Sequence, residues 1–135
     1  MLEFCLMKTQ SSEYQKGLAL LETLHGGQSG EQLVQSLEDI CPDFVSMTLE
    51  WALAGIMGRP GLDLLTRELL LIASCTTIGG SADPQLRAHT DAALKLGATR
   101  EQVVETVLQM LFYAGGVNVS NALRSIKEVF KLHQI

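Results

Sequence analysis

Apolar residues recur along most of the chain at intervals of three and four, the spacing that puts side chains on one face of a helix. Tyr14, Leu18, Leu21 and Leu24 follow Ser11 and Ser12, either of which can cap a helix, and Gly26-Gly27 predicts its end. Ser29 with Gln32 three residues on reads as a capping box for a short second helix through Leu33, Val34, Leu37 and Ile40, stopped by Pro42. A third is predicted from about Asp43 to Met57, with Gly58 placed to close it. After the loop Gly58-Arg59-Pro60-Gly61-Leu62-Asp63, Asp63 can cap a fourth helix that is apolar almost without interruption from Leu64 to about Thr77. Grease on every side predicts a central helix. Gly79-Gly80 ends it, and Asp83-Pro84, a cap followed by proline at the first helical position, starts a fifth that runs to Gly97. Thr99 with Gln102 repeats the capping box for a sixth, through Val103, Val107 and Leu111 to a break at Gly115-Gly116. A seventh begins near Asn118 and places Ala122, Leu123, Ile126, Val129 and Phe130 on one side. No alternating strand pattern competes, and no linker is long enough to separate domains. The pattern therefore predicts an all-α fold of six or seven helices, a single compact domain over residues 1–135.

Composition agrees with the pattern and narrows the function. The 135 residues are 47% apolar but only 5% aromatic, so the core is built from Leu, Ala, Val and Ile, a set that favours helices. Ten basic against fifteen acidic residues give a net charge of −5 with no cluster of Lys and Arg, which argues against nucleic acid as a partner. No stretch approaches the roughly 18 unbroken apolar residues of a membrane span. Met1 to Lys8 lack a basic start and an apolar run of signal length, so no export signal is read there. Cys5, Cys41 and Cys75 are odd in number and widely spaced, and no CxxC occurs. That suits a reduced, cytoplasmic protein better than a disulfide framework.

Candidate chemistry lies in RELLLIASCTTIGGSADPQLRAH, residues 67–89. Helical spacing places Glu68 on one face with Leu64, Leu65, Leu71, Ile72 and Cys75, and a carboxylate there needs a partner or must hold its proton. His89 lies in line with Leu86, Ala93 and Leu96 on the next helix. A short connection makes the two helices adjacent, so that carboxyl and imidazole can share one pocket. Bland readings stand beside this one: His89 as a hydrogen-bonded core residue, Glu68 as a surface acid in a helix's first turn, Arg67 as the partner of Asp63, and Cys75 as a small apolar filler. His25, beside a glycine pair, and His133, in the tail, are expected to be exposed.

Arg59-Pro60-Gly61-Leu62-Asp63, Thr66-Arg67, His89, Gly97-Ala98-Thr99-Arg100-Glu101-Gln102-Val103 and Tyr113-Ala114-Gly115, in this order and spacing, resemble the carboxymuconolactone decarboxylase family of the alkyl hydroperoxidase D-like superfamily. The likeness extends back through Glu50-Trp51-Ala52 to Tyr14-Gln15-Lys16-Gly17-Leu18 and covers about residues 12–130. It implies a small all-α protein that assembles as a trimer or hexamer, with active sites close to subunit contacts. In the redox branch a CxxC lies just before the histidine; here those two positions are Ala82 and Gln85, so Cys75 would need an unseen resolving thiol. The decarboxylase branch needs neither metal nor cofactor. The resemblance thus implies a cofactor-free decarboxylase of a small unsaturated lactone carboxylate in aromatic catabolism, with His89 as proton donor and Glu68 setting its tautomer or sharing the proton. Arg67 or Arg59 would hold substrate carboxylates, and Tyr113 would donate to the lactone oxygen. The alternatives are a thiol-dependent peroxidase or reductase working through Cys75 and a non-catalytic oligomeric scaffold. Three departures touch the pocket rim: Gly116-Val117-Asn118 replaces a Pro-rich segment, Met57 stands where an aromatic is usual, and the loop Gly79-Gly80-Ser81-Ala82-Asp83 is about two residues longer. The substrate is accordingly expected to differ in detail.

Overall fold

The computed structural model describes residues 11–135, and within them the side chains outside 26–35. The readings made of Met1 to Lys8 and Cys5 lie outside the described residues. All regular structure among the described residues is helical, as the sequence pattern requires. The chain divides into two compact units, Met1–Gly61 and Leu62–Ile135.

In the first unit, α1 runs over Ser12–Glu38 and α2 over Pro42–Met47, and a π-helix follows directly at Thr48–Met57. Ser11 caps α1 by accepting from the Tyr14 amide at 3.0 Å, and its hydroxyl donates to Glu50 Oε1 at 2.8 Å, tying the start of α1 to the π-helix. The expected break at Gly26-Gly27 does not occur, because a glycine inside a helix costs only about 1 kcal/mol relative to alanine while each added residue keeps its backbone bond. The stop comes at Ile40 and Cys41, whose amides both return to the Leu37 carbonyl just before Pro42. The third predicted helix is found between its expected ends, but its C-terminal part is wound more widely. The Gly58 amide bonds the Leu53 carbonyl, and the buried residues Leu49 and Ala54 are five apart, as i→i+5 winding demands. Leu21, Val45 and Leu49 form this unit's core, with Tyr14, Leu37 and Leu53 against them.

Gly17 shows why α1 and the π-helix can approach so closely. A Cβ at this position would stand 1.9 Å from the Leu49 carbonyl oxygen, a backbone atom that cannot swing aside. Gly17→Ala is therefore expected to destabilise the first unit by about 1–3 kcal/mol or more despite alanine's better helix propensity, measured as a lowered denaturant midpoint. An unchanged or raised midpoint would contradict this packing.

The second unit contains α3 (Leu64–Ile78), a 3₁₀ turn (Gly80–Ala82), α4 (Asp83–Lys95), α5 (Arg100–Gln109) and α6 (Leu111–Leu132). Asp63 caps α3 as predicted, accepting from the Thr66 amide at 2.7 Å, and the Thr99–Gln102 capping box opens α5 with both reciprocal bonds formed. The core joins Ile72, Cys75, Leu86, Ala93, Val103, Val107, Ile126 and Phe130.

Three expectations are corrected in this unit. The run from Leu64 to Thr77 is not covered on every side within it: Glu68, Ile72, Cys75 and Thr76 are buried, whereas Leu70 and Ile78 are exposed. Apolar content alone does not say which residues of a helix lose contact with water. The sixth helix ends at Gln109, and Leu111 to Ala114 belong to the next helix. The break at Gly115 survives as a kink in α6, where φ 78 and ψ 166 demand a glycine. Asp83 is the first residue of α4 and does not cap it; its carboxylate instead accepts from the Ser125 hydroxyl of α6 and from Arg87 Nε at 2.8 Å.

The Ser125 hydrogen bond, then the Arg87 pair, hold the Asp83 carboxyl below the ordinary carboxylate value. A lowered folded pKa contributes stability above the unfolded value near 4, and that contribution is lost as pH falls through the folded one. Asp83→Asn should thus cost stability at pH 7, below about 1 kcal/mol because the pair is more than a third exposed. Urea midpoints of wild type and variant should converge in acid; a difference that persisted or grew there would refute the linkage.

Candidate active site

Glu68 reaches the interior because Asp63 sets the start of α3. Counting from that cap puts residues 68, 72 and 75 on the buried stripe. The α3–α4 connection at Gly79 to Ala82 is short, so the two helices pack side by side and His89, one turn beyond Leu86, faces the same seam. There His89 Nδ1 lies 2.7 Å from Glu68 Oε2, with the carboxylate side chain at 0% exposure and the imidazole at 20%. The first-turn surface position considered for Glu68 is thus excluded. Its other oxygen, Oε1, is buried with no hydrogen-bond partner among the described residues.

A carboxylate acceptor fixes chemistry at the ring. With Oε2 accepting from Nδ1–H, the neutral imidazole has Nε2 as its basic nitrogen. On the same two helices Ile72, Leu86 and Ala93 are buried, and the hydroxyls of Thr76 and Thr90 are committed to the Ile72 and Leu86 carbonyls at 2.9 and 2.7 Å.

Cys75 lies two turns along α3 from Glu68. Burial, and then the Glu68 charge, push its thiol above the ordinary value, so it stays protonated and a poor nucleophile near neutral pH. It borders a small surface hollow whose wall also includes Thr76, Gly79, Asp83, Leu86 and Asn118.

The remaining sequence candidates are placed differently. Arg67 is half-buried, and its Nε donates to the Leu62 carbonyl at 3.0 Å, bracing the loop ahead of α3. Its charge also lowers Asp63, though less than the bonds from Thr66, so the expected link between them is electrostatic and secondary. Arg59 is exposed on the first unit, and Tyr113 is 92% exposed on the second. His25 and His133 are half-buried, against the expectation of exposure. His133 Nε2 lies 2.7 Å from Asp91 Oδ1, and Lys95 holds the other oxygen at 2.8 Å. The signal for His133 was its place three residues after the buried Phe130, on the same side of α6. Nothing in the spacing signalled the bond from Ser125 to Asp83, 42 residues apart.

Comparison with known proteins gives a family match and several relatives. Residues 42–128 match the carboxymuconolactone decarboxylase family. The chain is 30% identical over 118 residues to a 4-carboxymuconolactone decarboxylase of Acinetobacter baylyi, covering 87% of each protein. It is 34% identical over 97 residues to an uncharacterised 15.0 kDa protein of Paracoccus denitrificans, covering 72% of each. A nitrosuccinic acid decarboxylase of Metarhizium robertsii is 28% identical over 102 residues, which are 76% of this chain and 70% of the relative.

Proposed function

The chain belongs to the carboxymuconolactone decarboxylase family, and from that premise we propose that it is a carboxy-lyase acting by acid–base catalysis at Glu68 and His89. The observation that carries this reading is the fully buried carboxylate 2.7 Å from an imidazole that keeps some exposure. Decarboxylase relatives with two different named substrates support the reaction class more strongly than any one substrate. Both 4-carboxymuconolactone and nitrosuccinate can hold the electron pair left by departing CO2, on an unsaturated lactone carbonyl in one and a nitro group in the other. The substrate class is thus a small carboxylate that carries its own electron sink, and aromatic catabolism is the expected setting for the lactone.

In the proposed reaction the bond from ring carbon to carboxylate breaks and its electrons pass into the dienolate. A protonated His89 then delivers the Nε2 proton to carbon, while Glu68 holds Nδ1–H and offsets the imidazolium charge. Arg67 is proposed to attract the substrate carboxylate, with Arg59 and Tyr113 as further contacts in an assembled homo-oligomer, a trimer or hexamer. No helix among the described residues is long and apolar enough to cross a membrane, and a cytoplasmic location belongs to the same proposal.

The protonated state of Cys75 weighs against a thiol peroxidase, and the presence of an acid–base pair weighs against an inert scaffold. The test is CO2 release by the purified protein from 4-carboxymuconolactone and from nitrosuccinate. Turnover well above buffer on at least one is expected, and failure on both removes the reading. Cys75→Ser should keep turnover within about threefold of wild type, because a buried thiol contributes packing and no chemistry. Abolished turnover, together with a peroxide-induced disulfide in wild type, would restore the thiol mechanism.

A further inference from the structure

The decarboxylation assigned to Glu68 and His89 ends with a proton passing from the imidazole to carbon, a step that leaves a neutral ring beside the C–H bond it has just made. The structure holds that ring in the form that takes the proton back. His89 Nδ1 lies 2.7 Å from Glu68 Oε2, so the carboxylate accepts from Nδ1–H and Nε2 is the ring's acceptor. The Glu68 side chain is 0% exposed, so water does not compete for that bond, while the imidazole keeps 20% exposure for proton exchange with solvent. Other ionisable groups of α3 and α4 are engaged elsewhere: Asp83 accepts from Ser125 and Arg87, Asp91 from Lys95 and His133, and the Cys75 thiol stays protonated. We propose that the same pair also removes protons from carbon, making the protein an isomerase of small unsaturated lactones whose reacting carbons carry hydrogen and no carboxylate. The inference rests on the acid–base reading of this pair and adds a second reaction to it.

Loss of CO2 and loss of a proton are two routes to one anion. In the first, the electrons of the bond to the carboxylate pass into the dienolate. In the second, those of a C–H bond beside the lactone carbonyl do so, and the proton goes to His89 Nε2. Whatever stabilises the dienolate oxygen in one route serves the other. His89 then returns the proton to the far end of the dienolate, the double bond moves into conjugation with the carbonyl, and the lactone keeps its formula. No oxidant or reductant enters the balance. Microscopic reversibility supplies the link, because a group placed to protonate the dienolate is placed to deprotonate the product.

The test is proton NMR in D2O on a pair of lactones. The first is α-angelica lactone, which has a CH2 group between carbonyl and double bond and no carboxylate. Wild type should convert it to the conjugated isomer about 10²-fold or more faster than buffer, with deuterium at the newly protonated carbon. His89→Gln should fall to within about twofold of buffer, and Cys75→Ser should stay within about threefold of wild type, which rules out thiol addition as the route. The second is the lactone formed from 4-carboxymuconolactone itself. A single delivery leaves one deuterium on its ring, whereas return and redelivery leave more than one. Isomerisation retained in His89→Gln overturns the inference. Decarboxylation that leaves a single deuterium, with α-angelica lactone untouched, also overturns it and leaves the carboxy-lyase reading standing. Isomerisation without CO2 release from either carboxylate substrate keeps the second reaction and removes the first, and the absence of both reactions removes both.

Discussion

Replacing His89 with glutamine is expected to lower decarboxylation of an accepted substrate by about 10²- to 10⁴-fold while the protein stays folded. Glutamine keeps a polar group in this mostly buried position but has no nitrogen that takes up and releases a proton near neutral pH. The loss should appear in kcat, with KM little changed, because the step removed is proton delivery and the carboxylate of the substrate is held by other groups. Stopped-flow or end-point assays of CO2 release would measure it. Turnover within threefold of wild type would show that His89 is a core histidine whose hydrogen bond to Glu68 serves only structure.

The second large effect concerns Glu68, and it separates stability from chemistry. Glu68→Ala removes a fully buried side chain and leaves His89 Nδ1 without its acceptor. Cavity formation and the stranded donor both destabilise, the first by about 2–5 kcal/mol for comparable buried side chains and the second by about 1–3. Relief of the buried carboxylate's desolvation opposes them. A net loss of about 3 kcal/mol, or a fall in Tm on the order of 10 °C, is the expected balance. Glu68→Leu refills most of the volume and removes the charge, so it should lose much less stability yet still lose most turnover. Thermal melts and the CO2 assay on both variants would check this. A leucine variant of full activity would remove Glu68 from the mechanism.

How much of this was legible in the sequence depended on whether the signal was local. Asp63 and the Thr99–Gln102 box cap their helices as written, because a cap is settled within three residues. The adjacency of Glu68 and His89 was also within reach, since apolar stripes on two helices joined by a short turn must face each other. What the sequence did not display was competition between distant groups. Asp83 had the form of an N-cap, but Ser125 and Arg87 claim its carboxylate. Gly26-Gly27 had the form of a stop, but the helix continued to Glu38, shortly before Pro42, which opens the next helix. The widening at Thr48–Met57 had no sequence sign: it shows in the bond from the Gly58 amide to the Leu53 carbonyl and in buried residues five apart. The arginines and Tyr113 were chosen for their chemistry alone, and chemistry does not fix position. Arg67 braces a loop, and Tyr113 is turned to solvent on the second unit.

The central claim is that Glu68 and His89 work as one proton-carrying unit, and a double-mutant cycle on CO2 release tests it most directly. Wild type, Glu68→Leu, His89→Gln and the double variant would be assayed side by side on 4-carboxymuconolactone or whichever substrate the wild type accepts. Groups that act as a unit are non-additive, so the double variant should be about as slow as His89→Gln alone. Losses that multiply in the double variant, or single variants that turn over at the wild-type rate, would contradict the account.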